Sequence, residues 1–167
     1  MQGIQFESWK VEVGIPNFLL RATLQPRGDL MLFLNNFTYN SYSFSNIELL
    51  PLATDYQIKG VKQPTMTIIR QAMTFVSVLE PDKAAKIQLL QAKRPVVFYT
   101  DWFAVRGNLH VNSETPDDNL FDDKFEFFIL TDATLYPLRP MNYKPTPKVP
   151  ALAINRTTLL AYHAHNS

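Results

Sequence analysis

Two stretches of this chain answer each other at a fixed distance, and that spacing constrains the fold more than any single motif does. Leu49-Leu50-Pro51-Leu52 is echoed by Leu135-Tyr136-Pro137-Leu138, and Pro64, Ile68 and Arg70 are echoed by Pro150, Ile154 and Arg156. Each pair lies 86 residues apart (137 less 51, 150 less 64, 154 less 68, 156 less 70). Upstream, Leu20-Arg21-Ala22-Thr23-Leu24 aligns with Val105-Arg106-Gly107-Asn108-Leu109 at an offset of 85. The spacing predicts one module used twice, over residues 1–80 and 96–167, with a connector at 81–95. The two are expected to pack as one globular unit with pseudo-two-fold symmetry, because neither is long enough to bury a large core alone.

Local pattern makes both modules mainly β, each an antiparallel sheet or small barrel with one short helix. Trp9-Lys10-Val11-Glu12-Val13 alternates as a strand with one buried face does. Phe18 to Leu24 is a second strand, closed by Pro26, Gly28 and Asp29, and Asp29 is placed to cap a helix from Leu30 to Asn36. Phe44 to Leu52 is extended, and Met66 to Leu79 reads as a hairpin turning near Arg70-Gln71. The second half repeats the order, with strands at Val96–Tyr99, Phe103–Val111 and Phe127–Leu138 and a hairpin over Ala151–Ala164. Between the halves, Asp82 followed by Ala84, Ile87 and Leu90 predicts an amphipathic linker helix ended by Arg94-Pro95.

Composition narrows the function classes. With 16 basic and 15 acidic residues the net charge is +1, which argues against nucleic acid as a partner. There is no cysteine, so disulfides and thiolate metal sites are excluded. The N-terminus does not read as a signal peptide, and no apolar run approaches the roughly 20 residues that span a bilayer. A soluble cytoplasmic protein is expected.

Motifs for chemistry are sparse. Glu114, Asp117, Asp118, Asp122, Asp123 and Glu126 are dense enough to suggest a metal site but lack the glycine turn and alternating ligands of a calcium loop. A solvated helix start is the simpler reading. His163-Ala164-His165 has the spacing of a strand-borne pair, but a zinc site takes three or four ligands. Neither a nucleophile elbow nor a phosphate-binding glycine loop is present. No catalytic residue, cofactor or metal is therefore assigned, and the chain is read as a non-enzyme.

The pattern of Val105-Arg106-Gly107-Asn108-Leu109, Leu130-Thr131-Asp132-Ala133-Thr134-Leu135-Tyr136-Pro137 and Leu152-Ala153-Ile154-Asn155-Arg156 resembles a small bacterial domain family of unknown function. Its members look like compact β-rich modules, and the resemblance covers about residues 96–164. The first half departs from it: Asn46-Ile47-Glu48 stands for Asp132-Ala133-Thr134, and Ile69 replaces the asparagine before the arginine. The resemblance implies module boundaries and no activity.

The leading expectation is a protein-interaction or assembly module, a subunit of a larger complex or a homo-oligomer. Its candidate anchors are Phe33, Phe37, Tyr39, Tyr42, Trp102 and Tyr143, of the residue types enriched at interface centres, which could equally fill the core. Repeated structural residues are Pro51, Pro64, Pro137 and Pro150 at strand ends, and Arg70 and Arg156 bracing their turns. The alternatives are a regulatory module binding a small ligand or nucleic acid, and an enzyme whose site is assembled from distant residues.

Overall fold

Pro16 and Asn17 turn the first hairpin, and the backbone shows why this pair suffices. Proline sets φ for the first turn position, and Asn17 takes φ 67°, the conformation a type II turn requires at the second. The turn joins β1 (Trp9–Ile15) to β2 (Phe18–Leu24), with Ile15 opposite Phe18. Asp29 then caps α1 (Leu30–Leu34), its carboxylate accepting from the amides of Met31 and Leu32 at 3.1 and 3.2 Å. The chain continues through β3 (Ser41–Pro51), β4 (Val61–Ile69) and β5 (Phe75–Val78), then the short α2 (Pro81–Ala84). The second half is β6 (Ala92–Tyr99), β7 (Phe103–Val111), β8 (Phe127–Pro137), β9 (Lys148–Asn155) and β10 (Ala161–Ala164). This computed structural model describes residues 5–121 and 124–165.

The ten strands of the described residues form one antiparallel sheet in the order β10-β6-β7-β8-β9-β5-β1-β2-β3-β4. The fold is mainly β, and β5 and β9 form the seam where the halves meet, Phe75 opposite Ile154 and Val78 opposite Ala151. Registers recur across the halves. The β2–β3 ladder shifts between Arg21 and Thr23, and the β7–β8 ladder shifts between Arg106 and Asn108. Asn46 and Asp132 both have positive φ, 52° and 50°. Each faces a proline, Pro64 or Pro150, at the one position missing from its ladder with the next strand. Proline has no amide to donate, so the ladder breaks there and the opposing residue is free to adopt the left-handed conformation. Pro64 and Pro150 therefore lie inside β4 and β9, not at the strand ends expected from sequence; irregular ladder positions are where a sheet accepts proline.

The halves keep the same strand order along the sheet, but with an odd number of strands in each, equivalent strands run in opposite directions. Equivalent faces are consequently turned to opposite sides. Val11, Val13, Leu20, Phe44 and Ile68 of the first half fill one core, while their counterparts Val96, Phe98, Val105, Leu130 and Ile154 fill another. At the seam, Val76 and Ala153 belong to the first core, and Phe75 and Ile154 belong to the second. Gly14 lies beneath Phe75; a Cβ at position 14 would stand 2.4 Å from the ring.

Two expected hairpins are absent. β4 and β5 do not pair with each other, and neither do β9 and β10. Each couple is joined by a 3-10 turn, Arg70–Ala72 or Arg156–Thr158, that carries the chain from one edge of its five-strand unit to the other. Four strand spacings in a flat sheet would be about 19 Å, more than so short a tight turn and its flanks reach comfortably, so each unit curls on itself. Backbone bonds fix the crossing equivalently. Arg70 N donates to Asn40 O and Thr74 N to Gly14 O, while Arg156 N donates to Glu126 O and Leu160 N to Tyr99 O.

The linker helix expected over 81–95 is also corrected. Only Pro81–Ala84 is helical, because tertiary contacts claim the rest. Ile87 enters the first core, Gln88 N donates to Asp29 Oδ1 at 2.9 Å, and Ala92 already pairs with Val111.

Candidate interaction surface

The sheet ends in two strands that each have one neighbour among the described residues. β4 pairs only with β3, and β10 only with β6. On β4, Met66 and Ile68 turn toward the first core, while Thr65, Thr67 and Ile69 face out. On β10, Tyr162 packs against Phe98 and Phe121, with ring centroids 5.7 and 5.1 Å away. Leu160, just before β10, is 71% exposed, and Ile69, at the end of β4, is 59% exposed. An open strand edge offers unpaired amides and carbonyls to another chain, and here each edge carries a large apolar side chain beside it.

The six aromatics named from sequence are scattered. Phe33, Tyr39 and Tyr42 form one cluster under α1, with centroids 5.0 to 6.0 Å apart. Tyr42 is buried, its hydroxyl donating to Leu34 O at 2.7 Å, and that burial raises its pKa to about 12. Trp102 is buried in the second core, with the Arg139 guanidinium 4.4 Å above its ring. Tyr143 is half-buried against the second core. Phe37 is the exposed member, and the Arg70 guanidinium lies 5.0 Å from its ring. Tyr42 and Trp102 thus lie inside the molecule, where they add packing rather than surface.

Arg70 is nearly inaccessible. Its Nη1 donates to Asn36 O at 2.9 Å and Tyr39 O at 3.4 Å, and its Nε stands 3.1 Å from Glu126 Oε2 of the other half. Arg156 opens the equivalent turn. Pro51 and Pro137 close β3 and β8, opposite Phe18 and Phe103.

The remaining chemistry-bearing residues do not converge. Asp122 and Asp123 of the acidic stretch lie outside the described residues. Asp117 is 3.1 Å from Arg94, and Glu126 faces Arg70. Among the described residues no three His, Asp or Glu side chains group closely enough to hold a metal ion. His163 Nε2 lies 3.0 Å from the Tyr99 hydroxyl, and His165 N donates to Pro95 O. His110 is buried beside an apolar cleft of about 250 Å³ that Met31, Leu90 and Phe127 help to line. Its Nδ1 is 3.2 Å from Leu90 O, which can only accept, so Nδ1 carries the proton and Nε2 accepts from the Thr131 hydroxyl at 2.7 Å. Desolvation holds its pKa below the usual imidazole value.

Three residues central to how the halves meet were not singled out from sequence. Glu12 is 1% exposed, although alternation puts it on the outward face of β1. The loop before β9 covers it: Thr146 N donates to Glu12 Oε1 at 2.8 Å, and Arg21 Nε is 3.1 Å from Oε2. Asn35 receives the amides of Glu126 and Phe127 on its Oδ1 and donates to Phe127 O. Asn155, fully buried, donates to Met73 O. The one sequence signal was the asparagine–isoleucine difference between Asn155 and Ile69.

Comparison with family models, curated proteins and solved structures found no match to this chain.

Proposed function

We propose that this chain is a non-enzymatic assembly module, a subunit of a homo-oligomer or larger complex. One observation supports the reading: among the described residues the sheet stops at both ends in an open strand flanked by an exposed large apolar residue, Ile69 beside β4 and Leu160 beside β10. Soluble monomers blunt such edges with charge, proline or a covering loop. Lys62 and Pro64 do so only in the first part of β4, leaving Thr65 to Ile69 open. Completing these edges by strand addition supplies main-chain hydrogen bonds and buries the flanking apolar groups.

Sedimentation equilibrium of the purified chain, together with the native mass of the particle that contains it in its own cell, tests the reading. Species heavier than one chain are expected in at least one of the two. A single-chain mass in both overturns it.

A further inference from the structure

We infer that the two halves are copies of one unit, and that separate chains join head to tail by adding β10 of one to β4 of the next in the register that joins β5 to β9. This rests on the assembly reading above and names its contact. The internal seam is the template. β5 and β10 are equivalent at an offset of 86 (161 less 75), as are β4 and β9 (154 less 68). Each sits in the same place in its five-strand unit, against the same first strand or third strand. Within the chain, β5 of the first half is seated on β9 of the second. The same contact, continued outward, puts β10 on β4 of another copy. The register carries over directly: Ala161 opposite Ile68, Tyr162 opposite Thr67, His163 opposite Met66 and Ala164 opposite Thr65.

The apolar surface falls where this contact needs it. At the seam, Asn155 N donates to Thr74 O, and the counterparts of those two residues are Ile69 and Leu160. Leu50 and Leu52, on the outer side of the first half, are buried with the second core, and Leu52 O accepts from Asn142 N. Their counterparts Tyr136 and Leu138 are 43% and 50% exposed. In the next copy the loop equivalent to the one that meets Leu52 carries Ile58, which is also exposed. Positions buried once inside the chain are thus apolar and uncovered at its two ends.

One difference sets the strength. The outer face of β8 and β9 at the seam is Phe127, Ile129, Ala151 and Ala153, whereas β3 and β4 offer Ser41, Ser43, Thr65 and Thr67 there. The contact between chains buries less apolar area than the seam, so it is reversible on dilution. It is also heterologous, so the product is a ring or a longer array rather than a closed two-fold pair.

The chain has no cysteine, so introduced thiols report one contact each. Thr65→Cys and Ala164→Cys chains, separately tagged, are mixed and oxidised with copper–phenanthroline, which takes up the two electrons as two thiols form one disulfide and release two protons. A linked product containing one of each chain is expected, and a chain carrying both substitutions gives a ladder of dimer, trimer and higher species. His163→Cys with Thr65→Cys gives little product, because position 163 faces the opposite side of the strand. Leu160→Asp lowers the yield of the productive pair by about tenfold or more, since it would place a carboxylate in the contact. In the unsubstituted chain, amide exchange in β4 and β10 slows as concentration rises. Two Thr65→Cys chains or two Ala164→Cys chains linking as readily as the mixed pair, or the His163→Cys pair linking equally well, overturns this register while leaving assembly standing. No linkage and no concentration dependence in a chain that sediments as one copy overturns the head-to-tail contact, and a single-chain mass for the native particle as well overturns assembly too.

Discussion

Asn155 donates from Nδ2 to the carbonyl of Met73 at 2.9 Å, across the seam between β9 and β5. Its Oδ1 meanwhile accepts from the amide and hydroxyl of Thr157, at 3.0 and 2.7 Å. One fully buried side chain therefore ties the second 3-10 turn to the entry of the strand that joins the halves. Asn155→Ala leaves the Met73 carbonyl and the Thr157 amide without this partner, and should cost about 1–3 kcal/mol. Chemical denaturation of both proteins measures it. Asn155→Asp should do no better, because a carboxylate cannot donate to Met73.

The contact between Gly14 and Phe75 makes a prediction with a built-in control. Gly14→Ala places a methyl 2.4 Å from the Phe75 ring, which must shift to admit it, and should destabilise by about 1–3 kcal/mol. Phe75→Leu alone should also destabilise, by loss of packing. The double variant should be more stable than the sum of the two single losses implies, because the smaller side chain admits the new methyl. A double-mutant cycle by thermal or denaturant unfolding checks the sign of that coupling.

Arg70 tests whether a buried arginine works through its shape. Arg70→Lys retains the charge facing Glu126 but cannot reproduce the guanidinium fork that also reaches Asn36 O. A loss of about 1–3 kcal/mol is expected. Arg70→Met should lose more, because Glu126 is then left without its cation. The denaturation midpoints of the three proteins should fall in the order wild type, lysine, methionine.

The buried His110 gives stability a pH dependence. Desolvation lowers its folded pKa below the ordinary 6.5, outweighing the opposite pull of the Leu90 carbonyl; Lys93 lowers it further, and Asp132 raises it. The unfolded chain therefore takes up a proton first as pH falls. Stability is fully present above about 6.5, decreases below it, and levels off once the folded imidazole is also charged. Unfolding free energies measured between neutral and mildly acidic pH should show this decline. In His110→Gln the same interval should be flatter.

Several ladder features fall at the spacing of the sequence echo. Arg21 and Arg106 mark the register shifts, and Pro64 and Pro150 face Asn46 and Asp132, both of positive φ, all at the spacings visible in the chain. The crossing turns were not legible. An apolar run, a polar turn and a second apolar run look alike whether the two strands pair or lie on opposite edges, and only the ladder partners of Ile68 and Phe75 distinguish them. Alternation sets Glu12 on an outward face but says nothing of a loop arriving from 134 residues away that buries it. In the connector Ala84, Ile87 and Leu90 recur at helical spacing, so the sequence alone points to a helix. A short helix gains little by itself, and Ile87 gains more from the first core. Exposed Leu160 and Ile69 carried no mark in the sequence, since an apolar residue near a strand reads as core.

The parity of five gives the chain a direction. A single five-strand unit, added to itself through this seam, would invert at every step, so no unit could share its neighbour's orientation. Two units restore it. In the proposed contact, a chain of ten strands is the smallest piece that can follow itself facing the same way, because its two edge strands are an odd number of steps apart. What looks like redundancy in the sequence is, in the head-to-tail assembly proposed above, what lets successive chains share one direction.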